Sequence, residues 1–289
     1  MLQELVERVR VNGLWLAVHR FSKADASPAP ERKTVLLLHG FLDAAASWDL
    51  VAEPLCDAGF EVVAPDLRGF GLSERVGAGG YYHFPDYIAD MDELCDQLAP
   101  SWLGVVGHSM GGGVATLFAG ACAARVNKLV VMEGVGPSSD AAELSVDRFR
   151  KWLSDRRRIT REPRSMSFEE AVTRLKATHP RLRDELLRSR AARLTVKLPS
   201  GEVAWAWDPL HRTVSPTPFQ SANYCSFLRA ISCPVLFIDG GPHGWHPPEE
   251  EERLAQIATL RRVSFPDAGH MMHWTQPSEV AKAIVDFFV

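Results

Sequence analysis

The sequence predicts an α/β fold, in which a mostly parallel, eight-stranded sheet carries helices on both faces and a helical cap is inserted into it. Two apolar runs, 34–38 and 128–132, are typical of buried parallel strands, and helical segments alternate with such runs. Residues 137–230 lack buried strands and are rich in arginine and helical periodicity. We therefore predict a core of residues 1–136 and 231–289, interrupted by a cap of residues 137–230.

The composition excludes several classes of protein. A chain of 289 residues with 46% hydrophobic residues and a net charge of −4 is an ordinary globular protein, without the basic surface expected of a nucleic-acid partner. Its five cysteines lack metal or disulfide spacing. Neither a signal peptide nor a membrane span is evident. We expect a cytoplasmic protein, monomeric or homodimeric, that acts on a small molecule.

The N-terminal elements form a hairpin and the first units of the sheet. Residues 6–11 and 14–21 flank Asn12-Gly13, a pair typical of a tight turn. Residues 22–32 are polar, contain two prolines and indicate an exposed connection. After the strand 34–38 come a helix with Ser47 as its N-cap, a short strand and a second helix, over the ranges 47–58, 61–64 and 85–98.

Later elements follow the same reasoning. Strands are predicted at 103–106, 128–132, 234–239 and 261–265. The cap is expected to contain three helices, at 146–157, 168–178 and 182–193, and a last amphipathic helix covers 277–288.

A nucleophile is predicted at Ser109. The segment Gly107-His108-Ser109-Met110-Gly111 follows an apolar strand and precedes a helix rich in small residues, which is the context that G-x-S-x-G requires. The glycines leave room for a strained turn, from which a histidine can reach the serine. The helix also offers unpaired N–H groups near that serine.

Oxyanion donors are expected from two loops. His39-Gly40-Phe41-Leu42 ends the strand at 34–38, and a backbone N–H there can pair with the N–H that follows the nucleophile. We assign the oxyanion hole to the N–H groups of Phe41 and Met110.

The base is predicted to be His270. It lies in a loop between the last strand and the closing helix, so it can reach over the carboxyl edge of the sheet, where sites in open α/β sheets gather. His273 is a nearby alternative.

The acid is predicted to be Glu133. It closes the apolar strand at 128–132, where a carboxylate is costly to bury unless it is paired, and a histidine is such a partner. A role in capping local N–H groups is the alternative for Glu133, and Asp239 is the alternative acid.

Two further expectations concern metals and the pocket. His243, His246, His270 and His273 form two H-x-x-H pairs without the H-E-x-x-H spacing, so we predict no metal and no cofactor. The pocket is expected to be largely apolar. Its predicted lining is His39, Gly40, Leu42, His108, Trp207, Trp245 and Met271.

Several segments together resemble the α/β-hydrolase superfamily: HGFLDAAASWD, DLRGFGLS, GHSMGG, LVVMEG and AGHMMHWTQP. More narrowly, the chain resembles serine hydrolase-like proteins and their bacterial relatives. The resemblance implies the order nucleophile, acid, histidine along the chain. This sequence departs from the family pattern at the acid, because the loop after residue 239 has no carboxylate before Glu249. Some dehalogenases of this superfamily have a glutamate acid at the position that corresponds to Glu133.

The expected function is that of a serine hydrolase that cleaves carboxylic esters of small to medium hydrophobic substrates through an acyl-enzyme. Thioester, lactone, amide or C–C cleavage and cofactor-free perhydrolysis use the same apparatus. A non-catalytic small-molecule receptor on the same fold is the alternative from a different class. The basic run 148–164 indicates either a solvated helix face or attraction of an acidic substrate.

Overall fold

The computed structural model describes residues 2–23 and 33–289, and ten strands lie in this part of the chain. In chain order they are β1 (Leu2–Val11), β2 (Leu14–Lys23), β3 (Lys33–Leu38), β4 (Glu61–Pro65), β5 (Trp102–His108), β6 (Lys128–Met132), β7 (Thr195–Lys197), β8 (Val203–Trp205), β9 (Val235–Asp239) and β10 (Leu260–Ser264). Most of the exposed connection predicted at 22–32 lies outside the described residues.

Eight of these strands form the predicted sheet, in the order β1-β2-β4-β3-β5-β6-β9-β10. Strand β2 runs antiparallel to β1 and β4, and every other pair is parallel. The carboxyl ends of β3, β5, β6 and β9 therefore meet at one edge, which is where the predicted nucleophile, acid and oxyanion loop are attached.

Helices cover both faces of the sheet. The helices of the described residues are α1 (Asp49–Asp57), α2 (Phe84–Leu98), α3 (Met110–Ala121), α4 (Ser145–Arg158), α5 (Phe168–Thr178), α6 (Asp184–Leu194), α7 (Ser221–Ala230), α8 (Glu250–Leu254), α9 (Met272–Thr275) and α10 (Pro277–Phe288), of which α4, α5 and α6 belong to the inserted region. Side chains of β3 alternate between two apolar clusters, because successive strand residues face opposite ways. Helices α2, α3 and α7 pack on one cluster, and α1 and α10 pack on the other.

The prediction of Ser47 as a helix N-cap is wrong. Helix α1 begins at Asp49, after a short 3₁₀ turn over Ala45–Trp48. Ser47 is buried and its hydroxyl donates to Oδ1 of Asp43 at 2.5 Å. The serine therefore ties the loop after β3 to the start of this helical segment instead of capping it.

The inserted region differs from its prediction in two respects, an additional pair of strands and an additional helix, α7. Helices α4, α5 and α6 lie close to the predicted ranges, but a small antiparallel pair, β7 with β8, follows them. Its strands are three residues long, too short for a periodicity signal. Helix α7 packs against α3, where Tyr224 Oη lies 2.6 Å from Thr116 Oγ1. The boundary at residue 231 stays a prediction, and this contact favours an earlier end of the cap.

Helix α6 is held on the core by a buried arginine. Arg190 is 1% exposed and donates to the carbonyl of Ser47 and to both carboxylate oxygens of Asp49. Two nitrogens of the guanidinium thus bind two different partners, Nη1 the carbonyl and Nη2 the carboxylate, which fixes its orientation as well as its position. The surface of the inserted region that faces Ser109 is thereby held in one place.

Buried His19 should make stability depend on pH. Burial alone would lower the pKa of His19, but hydrogen bonds to the carboxylates of Asp66 and Glu4 raise this pKa to about 9. The stabilisation is therefore complete below the ordinary pKa of histidine and is lost as the pH rises through about 9. We expect His19→Gln to cost at most about 3 kcal/mol of unfolding free energy near pH 6 and much less near pH 10, measured by denaturant titration. An equal cost at both pH values would contradict this expectation.

Candidate active site

Ser109 lies on a strained turn between β5 and α3. Its backbone has φ 52° and ψ −117°, which non-glycine residues seldom adopt, and such strain is typical of functional sites. A Cβ at Gly107 would overlap the backbone of Gly111, and one at Gly111 would overlap the carbonyl of Leu38. The two glycines are therefore required by close backbone approach, as the motif predicts.

Three of the predicted side chains form one hydrogen-bonded chain. Oγ of Ser109 lies 3.0 Å from Nε2 of His270, and Nδ1 of His270 lies 2.6 Å from Oε2 of Glu133. The Glu133 side chain is fully buried, whereas that of His270 is 30% exposed. With Nδ1–H donating to the carboxylate, Nε2 is left as the acceptor for the serine hydroxyl. This arrangement can deprotonate the serine and stabilise the resulting imidazolium.

The loop after β9 supplies donors for Glu133 instead of an acid. The N–H of Gly240 donates to Oε1 at 2.5 Å, and the N–H of Trp245 donates to Oε2 at 2.7 Å. Asp239 accepts hydrogen bonds from the N–H of Gly241 and the hydroxyl of Ser264. Among the hydrogen bonds and ion pairs of the described residues, Asp239 has none to His270.

Gly244 makes the room that the Glu133 carboxylate occupies. A Cβ at residue 244 would overlap Oε1 of Glu133. We expect Gly244→Ala to lower kcat by about 10- to 100-fold while the protein stays folded, because the carboxylate must shift and the imidazole loses its orientation. Hydrolysis rates and circular dichroism measure both effects. Gly79→Ala is the control, since nothing lies within 4 Å of a Cβ there. Unchanged activity in Gly244→Ala would contradict this role of the glycine.

The two predicted oxyanion donors border the same site. Phe41 follows β3, and Met110 is the first residue of α3. Neither N–H donates to a protein acceptor in the part of the chain that the structure describes. Leu42, next to Phe41, has φ 60°, so this loop shares the strained backbone of Ser109 and Glu133. Two N–H groups left unpaired beside the serine can stabilise a developing oxyanion.

Two predicted pocket histidines form hydrogen bonds with backbone groups around the site. Nε2 of His39 accepts from the N–H of Leu67, and its Nδ1–H donates to the carbonyl of Gly40. Because Nε2 of His108 lies 2.8 Å from the carbonyl of His270, this ring carries its proton on Nε2. The pKa of His108 lies well below its ordinary value, mainly because the ring is completely buried and secondly because His273 and His270 are its neighbours. A neutral His108 therefore fixes the backbone of His270.

His273, the alternative base, lies away from the serine hydroxyl. Its ring is buried, and its Nε2 lies 3.3 Å from Oδ2 of Asp43. Asp43, His108 and His273 each offer one ligand atom within 4.8 Å of the others, a spacing that could hold a metal ion. The two H-x-x-H pairs do not come together there, since His273 is their only member in this group. The absence of a metal stays a prediction.

A cavity of about 520 Å³ opens at Ser109. Five predicted pocket residues line it, namely Gly40, Leu42, His108, Trp207 and Met271. His39 and Trp245 do not. His39 is fully buried, and Trp245 is 40% exposed, with its ring centroid 6.4 Å from that of His270. Of the lining residues in the inserted region, Trp207 is predicted from the sequence, whereas Arg174, His179 and Arg212 are not. Only tertiary packing brings these residues to the serine.

Comparisons with known proteins agree with the observed fold. A family model described as alpha/beta hydrolase fold matches residues 33–277. A serine hydrolase-like protein of Dictyostelium discoideum is 26% identical over 296 residues, covering 96% of this chain and 82% of that protein. A 3-hydroxybutyrate-oligomer hydrolase of Cupriavidus necator is 27% identical, with 92% of each chain covered. The solved structure of the thioesterase domain from the curacin biosynthetic pathway superposes with a TM-score of 0.86 at 26% identity, covering 98% of this chain and 99% of that one.

Proposed function

Since the chain belongs to the alpha/beta hydrolase family, we propose that it is a serine hydrolase that cleaves carboxylic esters of small to medium hydrophobic substrates. One observation carries the proposal: Ser109 and His270, in a hydrogen-bonded chain with Glu133, line a cavity beside two N–H groups that have no acceptor among the described residues. Each part of this arrangement has a step to perform in acyl transfer.

In the proposed mechanism, Oγ of Ser109 attacks the ester carbonyl while Nε2 of His270 takes the hydroxyl proton. The N–H groups of Phe41 and Met110 stabilise the tetrahedral oxyanion. His270 then gives its proton to the leaving alcohol, and an acyl-enzyme forms. A water molecule, deprotonated by His270, releases the acid by the reverse sequence. Throughout, Glu133 holds the imidazole in one tautomer and stabilises its cation.

The cavity supports a hydrophobic substrate of moderate size. Tryptophan and aliphatic side chains make up much of its wall, among them Leu42, Leu175, Leu194, Trp205, Trp207, Met271 and Trp274. A volume of about 520 Å³ is within the range of small-molecule sites. The similarity to a hydrolase of 3-hydroxybutyrate oligomers supports an ester, and the similarity to a thioesterase domain makes thioesters the second candidate.

A p-nitrophenyl ester series from acetate to decanoate tests the proposal. We expect turnover above the Ser109→Ala background, with kcat/KM highest at short to medium acyl chains. Acyl thioesters of the same acids, followed with a thiol reagent, test the second candidate. If wild type hydrolyses neither series above background, the ester proposal fails. The lactonase, C–C hydrolase, perhydrolase and receptor alternatives would then lead.

We propose that the protein is located in a reducing compartment, namely the cytoplasm. All five cysteines are free: Cys56, Cys95, Cys122, Cys225 and Cys233. Burial raises the pKa of the Cys95 thiol to about 12 and that of Cys233 to about 11, so both stay protonated. No helix in residues 2–23 and 33–289 has the length and apolar character to cross a bilayer.

A further inference from the structure

A second cavity adjoins the one at Ser109. It has a volume of about 540 Å³, and its wall shares three side chains with the first: Trp205, Trp207 and Arg212. The two spaces therefore share one wall, which contains an arginine and two tryptophans. If its carbonyl lies at Ser109 and its carbon chain is long enough, a substrate reaches this shared wall.

The turn that carries Arg212 is rigid. Arg212 ends a short 3₁₀ helix whose N-cap, Asp208, is fully buried and accepts hydrogen bonds from Arg161, the hydroxyl of Tyr82 and the N–H of Leu210. The neighbouring His211 ring is stacked between Phe70 and Tyr82, with ring centroids 3.9 Å apart on each side. These contacts fix the backbone from which the Arg212 side chain extends.

No side chain among the described residues forms an ion pair with Arg212. Among the described residues it forms no ion pair and donates no hydrogen bond, and its guanidinium lies 6.0 Å from the centre of the Trp207 ring. The other arginine of the first cavity, Arg174, is different, because Glu170 accepts two hydrogen bonds from it. In the second cavity, Arg164 also has no ion pair among the described residues, but it does not line the first cavity. Arg212 is thus the unpaired arginine that lines both cavities.

We propose that the ester substrate carries a carboxylate that Arg212 binds, so that the preferred substrates are monoesters of dicarboxylic acids or esters of similar chemistry. A planar guanidinium held near an indole ring presents a fork of donors that fits a carboxylate. The apolar wall between Ser109 and Arg212 accepts the connecting carbon chain. This proposal rests on the proposed ester hydrolysis at Ser109.

A pair of substrates that differ only in the charged group tests it. The p-nitrophenyl monoester of adipic acid is compared with its methyl-capped, neutral counterpart, using wild type, Arg212→Gln and Arg174→Gln. Arg150→Gln, on the exposed face of α4 away from both cavities, controls for the loss of one positive charge.

We expect wild type to prefer the free acid by about tenfold in kcat/KM, mainly through KM. Arg212→Gln should abolish this preference, Arg174→Gln should reduce it less, and Arg150→Gln should retain it. A preference of wild type for the capped ester, or an Arg212→Gln variant that keeps the tenfold ratio, would overturn the proposal.

Failure of the two proposals can be distinguished. If wild type hydrolyses neither ester, the proposed function fails, and calorimetric titration with adipate then decides the binding proposal alone. Binding to wild type that Arg212→Gln weakens about tenfold supports the arginine site. Absence of binding, or equal binding by both proteins, overturns it.

Discussion

Ser109→Ala should lower kcat for p-nitrophenyl esters by at least about 10⁴-fold and leave the fold intact. The hydroxyl of Ser109 is the proposed nucleophile that forms the acyl bond, and alanine offers no replacement. The residual rate would come from the oxyanion donors and from binding alone. Initial rates over a range of ester concentrations measure the loss.

Two controls accompany this variant. Far-ultraviolet circular dichroism and the melting temperature should match those of wild type, because Ser109 is not part of either apolar cluster that packs on the sheet. A variant that retains more than about 10% of wild-type kcat would exclude Ser109 as the nucleophile.

Glu133→Gln should lower kcat by about 10²- to 10⁴-fold, whereas Asp239→Asn should stay within a few-fold of wild type. Glutamine keeps the volume of the side chain but removes the charge that stabilises the imidazolium, and its amide can favour the wrong tautomer of His270. Both substitutions replace a carboxylate by its amide at the end of a neighbouring strand, so they form a matched pair. The same ester assay measures both.

The reverse order of effects would contradict this assignment. If Asp239→Asn were the damaged variant, the acid would belong to β9, as the family resemblance alone suggests. Since Glu133 also accepts hydrogen bonds from Gly240 and Trp245, Glu133→Gln can loosen the loop after β9. The unfolding free energy of Glu133→Gln separates that structural cost from the catalytic one.

The nucleophile turn and the sheet could be predicted from the sequence, because local sequence patterns indicate both. Apolar runs such as β3 and β6 mark buried parallel strands, and the spacing of glycines around Ser109 reflects backbone contacts that admit no Cβ. Glu133 was predicted from energetics, since a carboxylate closing a buried strand needs a partner. The structure brings His270 to within 2.6 Å of it.

Other features could not be predicted, because they depend on contacts distant in the chain. Ser47 looks like an N-cap locally, but Asp43 takes its hydroxyl. Residues of α5 and the turn at Arg212 carry no motif, and only packing of the inserted region over the sheet brings them to the cavity. The sequence shows that the loop after β9 lacks an acid, but only the structure shows that its N–H groups bind the carboxylate of Glu133.

The most direct test of the central claim is mass spectrometry of the protein after reaction with a fluorophosphonate, an esterase-directed reagent that modifies activated serines. We expect one adduct per chain on the peptide containing Ser109, loss of ester hydrolysis in proportion to labelling, and no adduct in Ser109→Ala. Labelling should also slow strongly in Glu133→Gln. Wild-type hydrolysis without an adduct, or an adduct on a different residue, would contradict the assignment of Ser109 as the nucleophile.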